Sequence, residues 1–331
     1  MPKIRIEPDT VAIFLTDQCT AECDMCCFGC SPRNTGIADR IAIKTIIMQA
    51  ANIPSIRTIG FSGGEVFLQY DLLLEMVEMS AKLGLRTTCT TNGFWASSYD
   101  KALELLLALK SRGLTKIGVS MDYFHQQYID VRCLKNILDI CYKIGIAVDI
   151  GSVVTKSTSN LSESLYVLKD SMLNVPHYRT ACLPVGKAKN ISHEDLFFDE
   201  QLLEKNEKCY ELTYFSVYLN GDVYPCCSQV GILEKLRLGN VYKDDMQDLL
   251  KRYRANMHVR ILKKYGFAWY LKIAHQENRK DILERQYVNK CDLCYNLLSD
   301  HSFMSVVEKY IEKEKEIIYQ KYIDSKKVGK V

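Results

Sequence analysis

The feature that most constrains this chain is a triplet of cysteines, Cys19, Cys23 and Cys26, spaced C-x₃-C-x₂-C. The triplet follows an apolar run, Val11–Leu15, that is typical of a buried β-strand. Three thiolates on one short loop can bind three irons of a [4Fe–4S] cluster and leave the fourth iron open to a small molecule. A site closed by a fourth thiolate can only transfer electrons or stabilise structure. The spacing therefore indicates a cluster that binds a ligand.

A structural zinc loop is the alternative, because C-x₂-C pairs are common zinc ligands. Zinc sites usually join two separated pairs into a closed site, whereas this is a triplet without a nearby histidine. Cys27 and Cys30 follow closely and are candidate fourth ligands. The spacing alone leaves both metals open.

The composition excludes several classes of function. The 331 residues carry a formal net charge of +3, too small to indicate nucleic acid or an anionic membrane as a partner. No apolar stretch approaches the roughly 20 residues of a membrane span, and Met1–Asp9 lacks the apolar core of a signal peptide. We therefore expect a cytoplasmic protein. In that reducing compartment the 14 cysteines are expected to be metal ligands, reactive thiols or core residues and not disulfides.

Short β-branched runs alternate with amphipathic stretches from about residue 10 to residue 190. This rhythm predicts βαβ units and a parallel sheet, and right-handed crossovers curl six such units into an incomplete barrel. Two of the amphipathic stretches, Asp71–Lys82 and Asp100–Lys110, are predicted helices. The six predicted strands are Val11–Leu15, Ile56–Phe61, Leu85–Thr91, Lys116–Met121, Ile146–Val154 and His177–Leu183.

A different organisation begins after about residue 195. A hairpin is predicted over Phe215–Tyr224, with Asn220-Gly221 as a two-residue turn. Helical segments follow, and the charge-rich stretch from Ser305 onward predicts a helix with a solvated face. We therefore predict two domains, residues 1–195 and 196–331, packed tightly against each other.

The cysteine spacing and the strand rhythm together resemble the radical S-adenosylmethionine (radical SAM) superfamily. The resemblance implies an α/β fold, a partial (β/α)₆ TIM-like barrel, with its chemistry at the C-terminal ends of the strands. It also implies that the open iron binds the amino and carboxylate groups of SAM, and that Met25 contacts the adenine through its backbone. Gly63-Gly64-Glu65 resembles the superfamily motif that contacts the methionyl amino group; a tight βα turn is the other interpretation.

Polar residues near the ends of later strands are further candidate SAM contacts. Ser120 and Asp122 end the fourth predicted strand, where polar side chains can hydrogen-bond the carboxylate and ribose of SAM. Asn92 ends the third strand, although a turn-forming Asn-Gly pair explains it equally well. Lys187 lies in Pro184–Ala188, which resembles a Gly-Arg-Ala turn that the superfamily places near the adenosyl ribose.

Four further cysteines form a second arrangement late in the chain. Cys209, Gly221 and Cys226 follow the spacing C-x₁₁-G-x₄-C, and the pair Cys291 and Cys294 comes much later. This arrangement resembles the twitch extension, a shortened SPASM domain that holds one auxiliary iron–sulfur cluster. The resemblance implies a C-terminal β-hairpin plus helices around a closed [4Fe–4S] site. A structural zinc with the same four thiolates is the alternative.

Cys227 directly follows one of these proposed ligands. Adjacent strand residues point to opposite sides, so Cys226 can bind a cluster while Cys227 faces a cavity. A buried, inert thiol is the alternative. The chain also resembles radical SAM peptide epimerases of the YydG type, and the segments that carry this resemblance are Cys26–Phe28, Gly64–Leu68, Asn92–Trp95, Gly221–Ser228 and Ile261–Trp269.

That resemblance implies a reaction, its cofactors and its partners. A 5′-deoxyadenosyl radical removes the Cα hydrogen of an L-residue in a ribosomally synthesised precursor peptide, and Cys227 returns hydrogen from the opposite face. The implied cofactors are SAM and two [4Fe–4S] clusters, with a flavodoxin or ferredoxin as low-potential electron donor. A radical SAM enzyme that cross-links peptides through thioether or C–C bonds has the same domains but needs no hydrogen donor. A zinc-stabilised peptide-binding module is the non-enzymatic alternative.

Overall fold

The computed structural model describes residues 7–205, 207–228 and 231–328. The first six residues, part of the segment that argued against a signal peptide, lie outside these ranges. Within the described ranges, no helix is both long and apolar enough to span a membrane.

Six parallel strands form the barrel part of the sheet and stand in it in chain order. The six predicted strands are confirmed, with bounds that shift by at most two residues. Among the described residues, the sheet has a free edge at its sixth strand and does not close on itself, which confirms the partial barrel. The strands are β1 (Thr10–Phe14), β2 (Thr58–Ser62), β3 (Arg86–Thr91), β4 (Leu114–Ser120), β5 (Ala147–Val154) and β6 (His177–Ala181).

Helices connect these strands, and local signals set their ends. The first helix begins where the Asp39 carboxylate accepts the Ala42 N–H at 2.7 Å. The fifth ends at Gly145, whose φ of 71° suits glycine at a helix C-terminus. These helices are α1 (Arg40–Ala51), α2 (Tyr70–Lys82), α3 (Tyr99–Ser111), α4 (Tyr123–Gln126), α5 (Val131–Ile144) and α6 (Ser162–Leu168).

The two faces of the barrel sheet differ in side-chain size. Large apolar residues such as Ile13 and Phe61 are fully buried in the main core. Several interior positions between them are small, as at Ala12, Gly60 and Gly118. A closed TIM barrel fills its interior with branched side chains. Here the small residues leave the interior open.

The C-terminal region extends the same sheet beyond β1. Strand β7 (Tyr214–Val217) pairs in parallel with β1, and β8 (Asp222–Tyr224) and β9 (Gly239–Asn240) follow as antiparallel neighbours. The predicted hairpin is confirmed, but its two-residue turn is wrong. Tyr218 still pairs with Asp222, so three residues form the loop, ending at Gly221 with a φ of 81°. A left-handed residue closing a three-residue loop is a common hairpin geometry.

In the part of the chain that the structure describes, six more helices follow. The last one, predicted from its charge pattern, buries Phe303, Val307 and Ile311 on one side and exposes charged residues such as Lys309 and Glu312 on the other. The helices are α7 (Met246–Ala255), α8 (Met257–Lys264), α9 (Ala268–Gln276), α10 (Lys280–Leu283), α11 (Lys290–Ser299) and α12 (His301–Val328).

Candidate active site

The cysteine triplet lies on the loop between β1 and α1, and backbone hydrogen bonds fix this loop from two sides. At the exit of β2, the Gly64 N–H donates to the Thr16 carbonyl at 2.6 Å. At the turn after β6, the Lys187 N–H donates to the Cys26 carbonyl at 3.1 Å. The strand ends therefore position the triplet.

Two glycines permit this close approach. A Cβ at Gly64 would lie 2.2 Å from the carbonyl oxygen of Gln18, and one at Gly186 would lie 2.2 Å from that of Cys27. Neither distance leaves room for a side chain. The Gly-Gly-Glu motif thus makes a tight turn whose backbone also contacts that of the triplet loop.

A cavity of about 250 Å³ opens beside the triplet. Its walls are the triplet loop and the C-terminal ends of the barrel strands, which is where barrel enzymes place their chemistry. A ligand in it would touch thiols and strand ends together. The predicted site residues that line it are Cys19, Cys23, Cys26, Met25, Gly63, Gly64, Asn92 and Ser120.

The three thiols of the triplet have different environments. Burial raises the pKa of Cys19, and it raises that of Cys23 to about 12. A hydrogen bond with the Cys30 thiol lowers the pKa of Cys26. Cys27 and Cys30 line the same cavity. Because a metal replaces thiol protons, binding a cluster would ionise the buried members of this set.

Asn92 reaches the triplet directly. Its Nδ2 donates to the Thr20 hydroxyl at 3.0 Å and lies 3.7 Å from the Cys19 sulfur. Its side-chain oxygen accepts the Phe94 N–H at 3.1 Å. The residue therefore makes a turn and also contacts the triplet loop, and its contact with SAM stays a prediction.

Glu65 is fully buried and does not line the cavity. Its carboxylate accepts the Phe67 N–H at 3.0 Å, the Thr91 hydroxyl at 2.8 Å and the Asn92 N–H at 2.7 Å. Burial raises its pKa to about 7. The Glu65 side chain thus connects the exit of β2 to the exit of β3. It holds the backbone of Asn92, which lines the cavity.

Two more predicted SAM contacts, Asp122 and Lys187, do not line this cavity. Asp122 is buried and accepts the Val153 N–H at 3.1 Å and the His125 Nδ1 at 2.9 Å, while His125 itself lines the cavity. Lys187 pairs with Glu22 at 2.9 Å outside the cavity. Sequence reasoning missed His125, although the Asp-x-x-His spacing at a strand exit could have indicated it.

The four late cysteines converge although they are far apart in sequence. Cys209 precedes β7, Cys226 follows β8, and Cys291 and Cys294 lie on α11. Burial raises the pKa of all four thiols, to about 12 for Cys291. Negative charge on the other members raises it further for all but Cys209. A shared positive centre would replace the protons of these buried thiols.

A single zinc ion and a four-iron cluster hold four thiolates at different distances from one another. Zinc lies about 2.3 Å from each sulfur, so four zinc thiolates would lie within roughly 4 Å of one another. In a four-iron cluster each thiolate binds a different iron, and the sulfurs stand farther apart.

A second cavity, of about 440 Å³, occupies the interior of the barrel. Phe28, Ser62 and Thr90 line both cavities, so the two adjoin at the triplet end. Cys227 lines the second cavity.

Cys227 enters this cavity from the end opposite to the triplet. In the pairing of β7 with β1, Tyr214 stands opposite Thr10, at the N-terminal end of β1, whereas the triplet follows its C-terminal end. Strand β8 returns the chain to that N-terminal end, where the Tyr214 N–H donates to the Pro225 carbonyl at 3.3 Å. Cys226 and Cys227 follow immediately.

The Cys227 side chain is exposed, but the surface that it exposes faces the barrel cavity. Burial still raises the pKa of its thiol, and the Tyr214 hydroxyl is hydrogen-bonded to it. Sequence reasoning missed Tyr214 and Tyr218, which also line the cavity. Their alternation along the hairpin strand was the available signal.

Two family models match this chain. The radical SAM superfamily matches residues 13–151, and an iron–sulfur cluster-binding domain, SPASM, matches residues 209–295. A Bacillus subtilis (strain 168) protein described as "putative peptide biosynthesis protein YydG" is 30% identical over 308 residues. The alignment covers 92% of this chain and 96% of that protein.

Solved structures share the fold at lower identity. Native anSMEcpe with bound AdoMet gives a TM-score of 0.56 at 18% identity, over 75% of this chain and 83% of that chain. The same protein with AdoMet and the Cp18Cys peptide gives 0.55 at 19% identity, over 75% and 82%.

These matches confirm the predicted fold and cofactors. The cofactors are SAM and two [4Fe–4S] clusters, and the triplet beside its cavity and the four late thiols fit them. The protein is therefore a radical SAM enzyme, and the alternative of a zinc-stabilised binding module is wrong. The chain belongs to the radical SAM superfamily, among the SPASM-containing proteins related to the peptide biosynthesis protein YydG.

Proposed function

We propose that this protein is a peptide epimerase that converts L-residues of a ribosomally synthesised precursor peptide into D-residues. One observation carries the proposal. Cys227 lines the barrel cavity from the end opposite to the cysteine triplet. The proposed ligands are Cys19, Cys23 and Cys26 for the first cluster and Cys209, Cys226, Cys291 and Cys294 for the auxiliary cluster.

The distance between the two ends suits a peptide residue. Between Tyr214 and Tyr218, both on the cavity wall, the strand advances four residues, about 13 Å at roughly 3.3 Å per residue. Tyr214 hydrogen-bonds Cys227, and Tyr218 packs on Phe28 of the triplet loop with ring centroids 6.0 Å apart. A peptide Cα between them would present one face to SAM and the other to Cys227.

The stereochemistry follows from the opposite positions of SAM and Cys227 around the peptide Cα. When bound at the first cluster, SAM would supply the radical: one electron from the cluster would break its S–C5′ bond to give methionine and a 5′-deoxyadenosyl radical, which would take the Cα hydrogen of an L-residue and leave as 5′-deoxyadenosine. The planar Cα radical has no configuration of its own, so the side from which hydrogen returns decides the product. Cys227 gives its thiol hydrogen atom to the far face: the S–H bond breaks, the Cα–H bond forms, and a D-residue results.

The protonation of Cys227 supports this role. A hydrogen-atom donor must keep its proton, and burial raises the pKa of this thiol. After donation the sulfur is a thiyl radical, which one electron and one proton convert back to the thiol. We infer that a low-potential donor, a flavodoxin or ferredoxin, supplies the electrons that the reaction needs. We also infer that the protein acts in the cytoplasm.

The precursor peptide is inferred from two sources. The related Bacillus protein is described as a peptide biosynthesis protein. The open barrel interior also has room for a peptide segment beside both ends of the site.

Replacing Cys227 with alanine tests the proposal. Reconstituted Cys227→Ala protein should still cleave SAM in the presence of the peptide, but formation of the D-residue should fall to background. The control is Cys89→Ala, which removes a thiol buried in the main core on β3 and should leave epimerisation intact. Chiral amino-acid analysis of the peptide gives the readout.

Deuterium distinguishes the source of the returned hydrogen. A thiol hydrogen exchanges with solvent, so wild-type product formed in D₂O should carry one deuterium at the inverted Cα. Unlabelled D-product, or normal epimerisation by Cys227→Ala, would contradict the assignment. A peptide cross-linked through a thioether or C–C bond, with its configuration retained, would favour the cross-linking alternative.

A further inference from the structure

Lys263 is a buried cation in the C-terminal half of the chain. It lies on α8, and only 6% of its surface is exposed. Its Nζ donates to the Leu212 carbonyl at 2.7 Å and to the Tyr253 hydroxyl at 3.4 Å. Both acceptors are neutral.

Within the described part of the chain, Lys263 forms no ion pair with a carboxylate. Burial lowers the pKa of Lys263, and negative charge at Cys209 or Asp9 raises it. Asp9 is exposed, so solvent screens its charge. A buried ammonium without a counter-charge is strongly unfavourable, and natural proteins rarely keep one without a compensating group.

The position of Lys263 indicates what that group is. The Cys209 N–H donates to the carbonyl of Leu262, the residue before Lys263, at 3.2 Å. Leu212, which accepts from Lys263, comes three residues after Cys209. The segment from Cys209 to Leu212 is therefore hydrogen-bonded at one end to the residue before Lys263 and at the other end to the ammonium itself.

We propose that Lys263 is the buried counter-charge of the auxiliary cluster and makes that cluster easier to reduce. The inference rests on the proposed ligand set of Cys209, Cys226, Cys291 and Cys294, and not on the epimerase reaction. A four-iron core bound by four thiolates carries net negative charge, and reduction adds to it. A fixed positive charge in a medium of low dielectric constant stabilises the reduced form more than the oxidised form.

Redox titration of the reconstituted full-length protein tests this role. Electron paramagnetic resonance follows both clusters, and the signal that SAM perturbs belongs to the first cluster. Lys263→Met should shift the midpoint potential of the auxiliary cluster to a more negative value and leave the first cluster unchanged. Lys264→Met removes the same charge from the exposed neighbouring position and should shift neither.

Each outcome decides the proposal. An auxiliary potential that is unchanged in Lys263→Met would overturn it. Should that variant lose the cluster, Lys263→Gln and Lys263→Arg replace it. Arginine keeps the charge and should keep the potential, whereas glutamine should give the negative shift. Equal potentials in these two variants would mean that Lys263 acts through its packing and not through its charge.

The measurement is independent of the proposed reaction. It needs no peptide, so a protein that fails to epimerise can still show the shift. Conversely, a wild-type potential in Lys263→Met would leave the epimerase proposal standing.

Discussion

Substituting alanine for Gly64 tests whether the exit of β2 positions the cysteine triplet. The added Cβ would lie 2.2 Å from the Gln18 carbonyl oxygen and 2.9 Å from that of Asp17, and real Cβ contacts essentially never fall below 3.0 Å. The triplet loop must therefore retreat by about 0.8 Å or more, because both clashing atoms belong to its backbone. Gly64 does not adopt a left-handed φ, so the effect is one of space alone.

The size of the effect follows from what the loop loses. Two backbone hydrogen bonds, Gly64 N–H to Thr16 at 2.6 Å and Glu65 N–H to Gln18 at 2.9 Å, hold the loop at this point. At about 1 kcal/mol each, breaking both costs the local structure about 2 kcal/mol. Displacing a reacting group by ~1 Å can cost ~100-fold in rate. We expect Gly64→Ala to cleave SAM about 100-fold more slowly.

The assay is 5′-deoxyadenosine formation by reduced, reconstituted protein at saturating SAM, with iron content measured on the same sample. Gly151→Ala is the matched control, because a Cβ there meets nothing within 4 Å. It should cleave SAM at the wild-type rate. A Gly64→Ala protein that does the same would refute the view that this glycine sets the position of the triplet.

Two further predictions concern the cluster ligands. Alanine at Cys19, Cys23 and Cys26 together should abolish SAM cleavage, since no other described cysteine set lines the cavity with three thiols on one loop; measurable cleavage would remove the triplet from the site. The wild-type protein should bind about eight irons, as two four-iron clusters. Alanine at Cys209, Cys226, Cys291 and Cys294 should lower that number by roughly half in an iron assay, and an unchanged number would mean that other cysteines are the ligands.

Local patterns were sufficient for the elements and for the first cluster. Each barrel strand is a short β-branched run between amphipathic helices, so neighbouring residues alone reveal it. The triplet lies within eight residues of one loop, and its spacing already restricts what it can bind. These features depend on contacts between residues that are close in sequence, which is why they were predictable.

Other features depend on register and burial, which the sequence does not state. SAM contacts by Glu65 and Asp122 stay predictions. The sequence did not indicate that three donors would hold the Glu65 carboxylate inside the protein, or that Asp122 would accept from His125. A motif reveals which residue types occur together, whereas the direction of a side chain depends on the donors that the fold places around it.

By itself, the sequence determined the barrel strands, the triplet and the two separate groups of late cysteines. Only the tertiary structure decided that the triplet and Cys227 line two adjoining cavities, at opposite ends of the barrel strands. That result depends on the parallel pairing of Tyr214 with Thr10, a contact between residues about 200 positions apart. The tertiary structure also decided that Lys263 is buried beside the segment that begins at Cys209, because burial of a charged side chain is set by the packing of the whole domain.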